Sequence, residues 1–232
     1  MSNTPWQRTA FAVGPLCMTA YGLIRLTDGE HGPGWSWSLG HLAFLAGVLC
    51  FIPIVLGMRR MAVRGRGPTG RGLAAAGTVT GLLGAAAVAA QAVIDLFAGF
   101  LSEDREAMRE FFRHVKSHAG VEPAVYSVGP LLFYVGLLLL MTQLAALRRI
   151  AAWRPAAVVA GIVATGISLD LLPLAGLLFL LAFAPLGRQA DTPDHRPLGA
   201  TASQGVSGLT RSRSGSRAPE PADPASPRGP GR

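Results

Sequence analysis

Residues 72–102 read GLAAAGTVTGLLGAAAVAAQAVIDLFAGFLS, between Arg71 and Glu103, and hold one ionisable side chain, Asp95. About 18 or more apolar residues in succession can cross a hydrocarbon core, and an acid inside such a run is a functional-site candidate until its depth says otherwise. With Gly72 at the inner boundary, a rise of about 1.5 Å per residue lifts Gln91 about 29 Å and Asp95 about 35 Å, against a core of about 30 Å. Asp95 is therefore expected at the outer edge of the membrane, where a carboxylate costs least.

Arginine clusters on either side of the apolar runs set the orientation. Arg59, Arg60, Arg64, Arg66 and Arg71 precede the quoted run with no acid among them, and Arg148, Arg149 and Arg154 form a second acid-free loop. Both loops are expected in the cytoplasm. The reading is an all-α, polytopic integral membrane bundle of about six transmembrane helices, near 9–26, 37–58, 72–97, 123–147, 155–169 and 171–187, with both termini cytoplasmic. The run from Pro155 to Gly187 is too long for one span and barely enough for two. A tight hairpin around Asp170 fits it best, one long tilted helix being the alternative.

The first helix is expected to be retained: Arg8 precedes it, but no A-x-A site follows, and Gly14-Pro15-Leu16 is a poor lead into a lipoprotein cysteine at Cys17. Gly77 and Gly81 form a G-x-x-x-G, expected to admit a neighbouring helix of the same chain more readily than a second copy. Between the third and fourth spans, 102–119 changes period. Met108, Phe111, Phe112, Val115 and Ala119 recur at helical spacing with charges opposite, so an amphipathic helix, capped by Ser102, is expected on the extracytoplasmic surface. From 189 to 232, Pro, Ser, Gly, Arg and Ala dominate without aromatic residues, which predicts a disordered basic cytoplasmic tail.

Half of the 232 residues are hydrophobic and 15% charged, and the mean hydropathy is +0.38, so the chain departs from soluble-domain composition. The net charge of +8 would suggest nucleic acid in a soluble protein, but here arginines sit between spans and orient them, so no nucleic-acid partner is expected. The expected partners are the bilayer, anionic lipid at the basic loops and tail, and a membrane protein partner or a second copy of the chain. Arginine, alanine and glycine richness, with Lys116 the only lysine, fits the inner membrane of a bacterium with a high-GC genome. Cys17 and Cys50 fall in apolar runs and read as inert packing residues.

Topology brings Arg25, His41, Gln91, Asp95, Tyr126 and Asp170 to one outer rim, because each lies toward the extracytoplasmic end of its helix. An Arg25–Asp95 ion pair would satisfy both charges. The competing account is a set of helix-end anchors with no ligand. Glu110, His114 and His118 share one face of the surface helix at a spacing that could hold a metal, though a solvated face explains them better. No metal and no cofactor are expected, since no Walker loop, dinucleotide fingerprint, nucleophile elbow or zincin helix is present. The leading expectation is a non-enzymatic protein binding a partner or small ligand at the rim. A transporter or channel component using Asp95 and Asp170 is the second, and a metal-dependent intramembrane enzyme the third.

Overall fold

The computed structural model describes residues 5–29 and 32–189, so the expected tail lies outside the described residues. Among those described, regular structure is helical throughout: α1 Pro5–Thr27, α2 Trp35–Val63, α3 Pro68–Leu101, α4 Arg105–Ser117, α5 Gly129–Ala146, α6 Trp153–Ile167 and α7 Leu172–Gln189. A π-helical stretch, Glu122–Val128, leads into α5, and one 3-10 turn, Leu169–Leu171, joins α6 to α7. Five helical stretches, Trp6–Thr27, Trp35–Val63, Pro68–Leu101, Glu122–Ala146 and Leu169–Arg188, are long and apolar enough to cross a membrane. The sixth apolar helix, α6, has 15 residues, a rise of about 22 Å.

The long helices overrun the apolar segments at their charged ends. Helix α2 continues through Arg59 and Arg60, and α3 begins at Pro68, a residue whose fixed φ and missing N–H suit a first helical position. Between them Gly65 takes φ +66°, a left-handed turn that a side chain would oppose. Ser102 does not cap α4. It closes α3, its N–H donating to the Ala98 carbonyl, and the cap falls to Asp104, whose carboxylate accepts from the Ala107 N–H at 2.8 Å. An aspartate at that position also meets the positive end of the helix dipole.

Each apolar helix packs on its neighbours in the order α1, α2, α3, α5, α6, α7 and back to α1, a closed ring across which α2 also touches α5. Phe51 of α2 fills the middle. It meets Phe133 of α5 edge-on at 5.2 Å, Phe183 of α7 at 5.8 Å and Phe179 at 6.3 Å, all buried. Glycine sets the closest approach, between α3 and α5. A Cβ on Gly136 would strike the backbone of Gly81, one on Gly84 would strike the backbone of Phe133, and one on Gly77 would lie 3.1 Å from Leu140. Gly77 and Gly81 thus admit a helix of the same chain.

Side chains knit one end of the bundle through its basic residues. Arg149 donates to the carbonyl oxygens of Met61 and Arg64, Gln143 Nε2 to that of Gly70 at 2.8 Å, and Arg60 to the Gln7 side chain at 3.0 Å. The candidate site lies at the opposite end.

Candidate functional site

At that opposite end α2 begins with an exposed Trp35 and a half-buried Trp37, and one helical turn later His41 points into the bundle, 4% exposed. Its Nδ1 is 2.8 Å from the Trp37 carbonyl oxygen. A carbonyl only accepts, so Nδ1 carries a proton and Nε2 is left to face the bundle. There Nε2 meets the Asp95 carboxylate of α3 at 3.6 Å and the Tyr21 hydroxyl of α1 at 3.5 Å. Trp37 fixes the same acid from its other side, its indole Nε1 donating to the Asp95 backbone oxygen at 2.7 Å. The indole reaches that oxygen because Gly99, one turn along α3, has no side chain: a Cβ there would overlap the indole ring.

This geometry corrects the expected Arg25–Asp95 pair. Arg25 Nε lies 3.8 Å from Asp170 Oδ1, in the turn between α6 and α7, whereas Asp95 is paired with His41. The packing order explains the exchange, because α1 lies between α2 and α7 and is separated from α3 by α2. Asp170 is 61% exposed at its side chain and Asp95 11%, so two carboxylates expected at one depth occupy different surroundings. The Asp170 N–H is also held by Ser168 Oγ at 3.1 Å.

Below the His41–Asp95 pair opens a cavity of about 220 Å³. Gln91, Asp95 and Tyr126 line it, as do Tyr21, Tyr134 and Thr165, which sequence reasoning passed over. The Tyr126 hydroxyl is buried and has no protein partner. Phe133 forms part of the lining and, through its contact with Phe51, connects it to the phenylalanine core. Toward the basic end the cavity is therefore backed by packed rings. Arg25 and His41 line a separate crevice of about 10 Å³, and Tyr21 borders both spaces. Of the six expected rim residues, three face the cavity, His41 touches it through Asp95 and Tyr21, and the Arg25–Asp170 pair stands apart. Tyr21 was legible in principle, one helical turn before Arg25 on the same face of α1, but tyrosine in an apolar run reads first as packing.

Helix α4 lies against α3, with Met108 buried and Phe112 6.4 Å from Trp37. The side chain of Lys116 reaches back so that Nζ sits 4.7 Å from the centre of the Tyr126 ring. His114 and His118 stack edge-on at 5.1 Å, but His118 Nδ1 is occupied with the His114 carbonyl oxygen at 3.0 Å. Among the described residues no three of His, Cys, Asp or Glu are placed to hold a metal, so Glu110 does not complete a set with this pair. Cys17 and Cys50 are free thiols, each seated against a glycine of the other's helix.

No family model matches the chain, and no curated protein or solved structure matches it. Its function has to be read from its own geometry.

Proposed function

We propose that this is a six-span protein of the plasma membrane that binds a small ligand in the cavity beneath His41 and Asp95, without converting it. The basic end is cytoplasmic, as are both termini, so the cavity and α4 face outward. The inner basic loops contact anionic lipid, and the exposed Trp35 marks the outer interface.

The observation that carries the reading is the cavity itself, about 220 Å³ with Asp95, Gln91 and an unpartnered Tyr126 hydroxyl on its wall. An apolar hollow with a few convergent polar groups is how small-molecule sites are built, and an unpartnered buried hydroxyl is a group that a ligand can satisfy. Residues that served only to anchor helix ends would have no reason to surround a hollow. Packed phenylalanines at its base favour a binding site over a conduit.

The test uses the full chain in lipid nanodiscs, thermal unfolding with a panel of small molecules, and the cavity-filling variant Val88→Trp. At least one compound is expected to raise the unfolding temperature of the parent and not of Val88→Trp, which remains folded. A panel that shifts the two proteins alike sinks the reading. Asp95-dependent ion or solute flux in proteoliposomes would replace it with transport.

A further inference from the structure

Resting on the ligand-site reading above, the geometry points to an organic ammonium as the cavity's ligand, held by Asp95 and a wall of aromatic rings. The described lining contains one acid, Asp95, and no basic side chain, so the charge carried by the wall itself favours a cation over an anion. Tyr21, Phe44, Tyr126, Phe133 and Tyr134 supply five rings around the same space. Ring faces carry negative electrostatic potential, and aromatic walls with a carboxylate are suited to alkylated ammonium ions, whose methyl groups also bury apolar surface. A bare divalent ion is poorly served, because the lining offers it one carboxylate among neutral hydroxyls and a single amide, and no three of His, Cys, Asp or Glu converge among the described residues. At about 220 Å³ the hollow far exceeds the roughly 10–15 Å³ that one water needs.

A second observation is independent of the cavity's shape. The chain's one lysine, Lys116, sits on α4 with its ammonium 4.7 Å from the centre of the Tyr126 ring, and Lys116 is not part of the lining. One of the rings that would hold the ligand is thus already holding an ammonium, from outside. Helix α4 then sets a tethered cation beside the site, and that cation weakens the pull of Asp95 on any second one. Removing the Lys116 charge should tighten ligand binding.

The experiment is titration calorimetry on the full chain in nanodiscs, with choline as the probe and 3,3-dimethylbutan-1-ol as its uncharged isostere. Choline is expected to bind saturably, the isostere at least tenfold more weakly. Asp95→Asn should weaken choline at least tenfold, and Lys116→Gln should tighten it severalfold. Tyr126→Phe should retain most of the affinity and Tyr126→Leu lose it, a contrast that holds even if Asp95→Asn fails to fold. Equal binding of the two probes, or choline affinity indifferent to both Asp95→Asn and Tyr126→Leu, overturns the ammonium. If the isostere binds as tightly as choline and Val88→Trp abolishes it, the cavity stands as a ligand site of another class. Binding of neither probe to the parent and to Lys116→Gln overturns the ammonium, and the compound panel then decides the cavity separately.

Discussion

At the scale of single residues, Trp37, His41, Gly99 and Asp95 behave as one unit, because each fixes an atom that another needs. The Trp37 carbonyl orients the imidazole, its indole holds the Asp95 backbone, and Gly99 leaves room for the indole. Trp37→Phe removes the indole N–H together with part of the ring packed on His41, and should cost about 1–3 kcal/mol, of which about 0.5–1.5 is the net value of one hydrogen bond. Gly99→Ala acts on the same ring, since the new methyl overlaps it and must push it away, at about 1–3 kcal/mol for an overpacked contact. If the clash is the cause, that cost should nearly vanish in a Trp37→Ala background. Unfolding midpoints of the four proteins in one detergent measure the coupling, and strict additivity would refute the unit. The chain itself brings His41 and Asp95 to one rim, but not the contacts through Trp37 and Gly99 that join them. Helical rise gives Asp95 only an expected depth, and which neighbour it meets depends on azimuth around the ring of helices, which is set by packing.

Among elements, glycine positions carry the most specific information. On α1 and α2 the fit is reciprocal: a Cβ on Gly14 would lie 3.2 Å from the Cys50 side chain, and one on Gly47 would lie 3.2 Å from that of Cys17. On α3 and α5 the glycine surfaces bring the backbones of Gly81 and Gly136 into contact, so a large side chain there cannot be absorbed by rotamer changes. Gly136→Leu should abolish the assembled bundle, read as loss of the monodisperse peak after detergent extraction. Gly72→Ala, in the same helix α3 but with nothing within 4 Å of its Cβ, should be neutral or stabilising by up to about 1 kcal/mol through helix propensity alone. Equal behaviour of the two variants would mean that helix approach does not govern assembly. The G-x-x-x-G of α3 was legible because small residues at that spacing have few other uses in a span. The cap of α4 was not, since Ser102 and Asp104 are both good caps and only the exit of α3 decides between them. Asp104→Ala is accordingly expected to lower stability by about 0.5–2 kcal/mol, and Ser102→Ala by less than about 0.5, in thermal melts of the full chain.

For the whole molecule, the ring closes only because α6 and α7 form a hairpin, which brings α7 back beside α1. Three contacts lock that return at the end bearing the site: Pro173 lies where a Cβ on Gly22 would be, Thr19 abuts Gly176, and Arg25 is paired with Asp170. A single long helix over the same residues would carry its second half away from α1 and leave the small surfaces of Gly22 and Gly176 unfilled. The division of 155–187 was open in the sequence, because 15 apolar residues in α6 fall short of a typical span, and the stop at Ser168 to Leu171 uses a capping serine rather than an unmistakable breaker. The hairpin places the turn at Asp170 on the same side as Lys116, with Arg66 and Arg154 on the other. In a chain whose Cys17 and Cys50 are replaced by alanine, single cysteines at 116 and 170 should react with a membrane-impermeant maleimide in intact cells, and cysteines at 66 and 154 only after lysis. Position 170 is the discriminating one, because its side chain is exposed and nothing but the bilayer's orientation can hide it. If 116 labels from outside and 170 does not, α6 fails to cross, the six-span topology falls, and the Arg25–Asp170 pair cannot form in the cell.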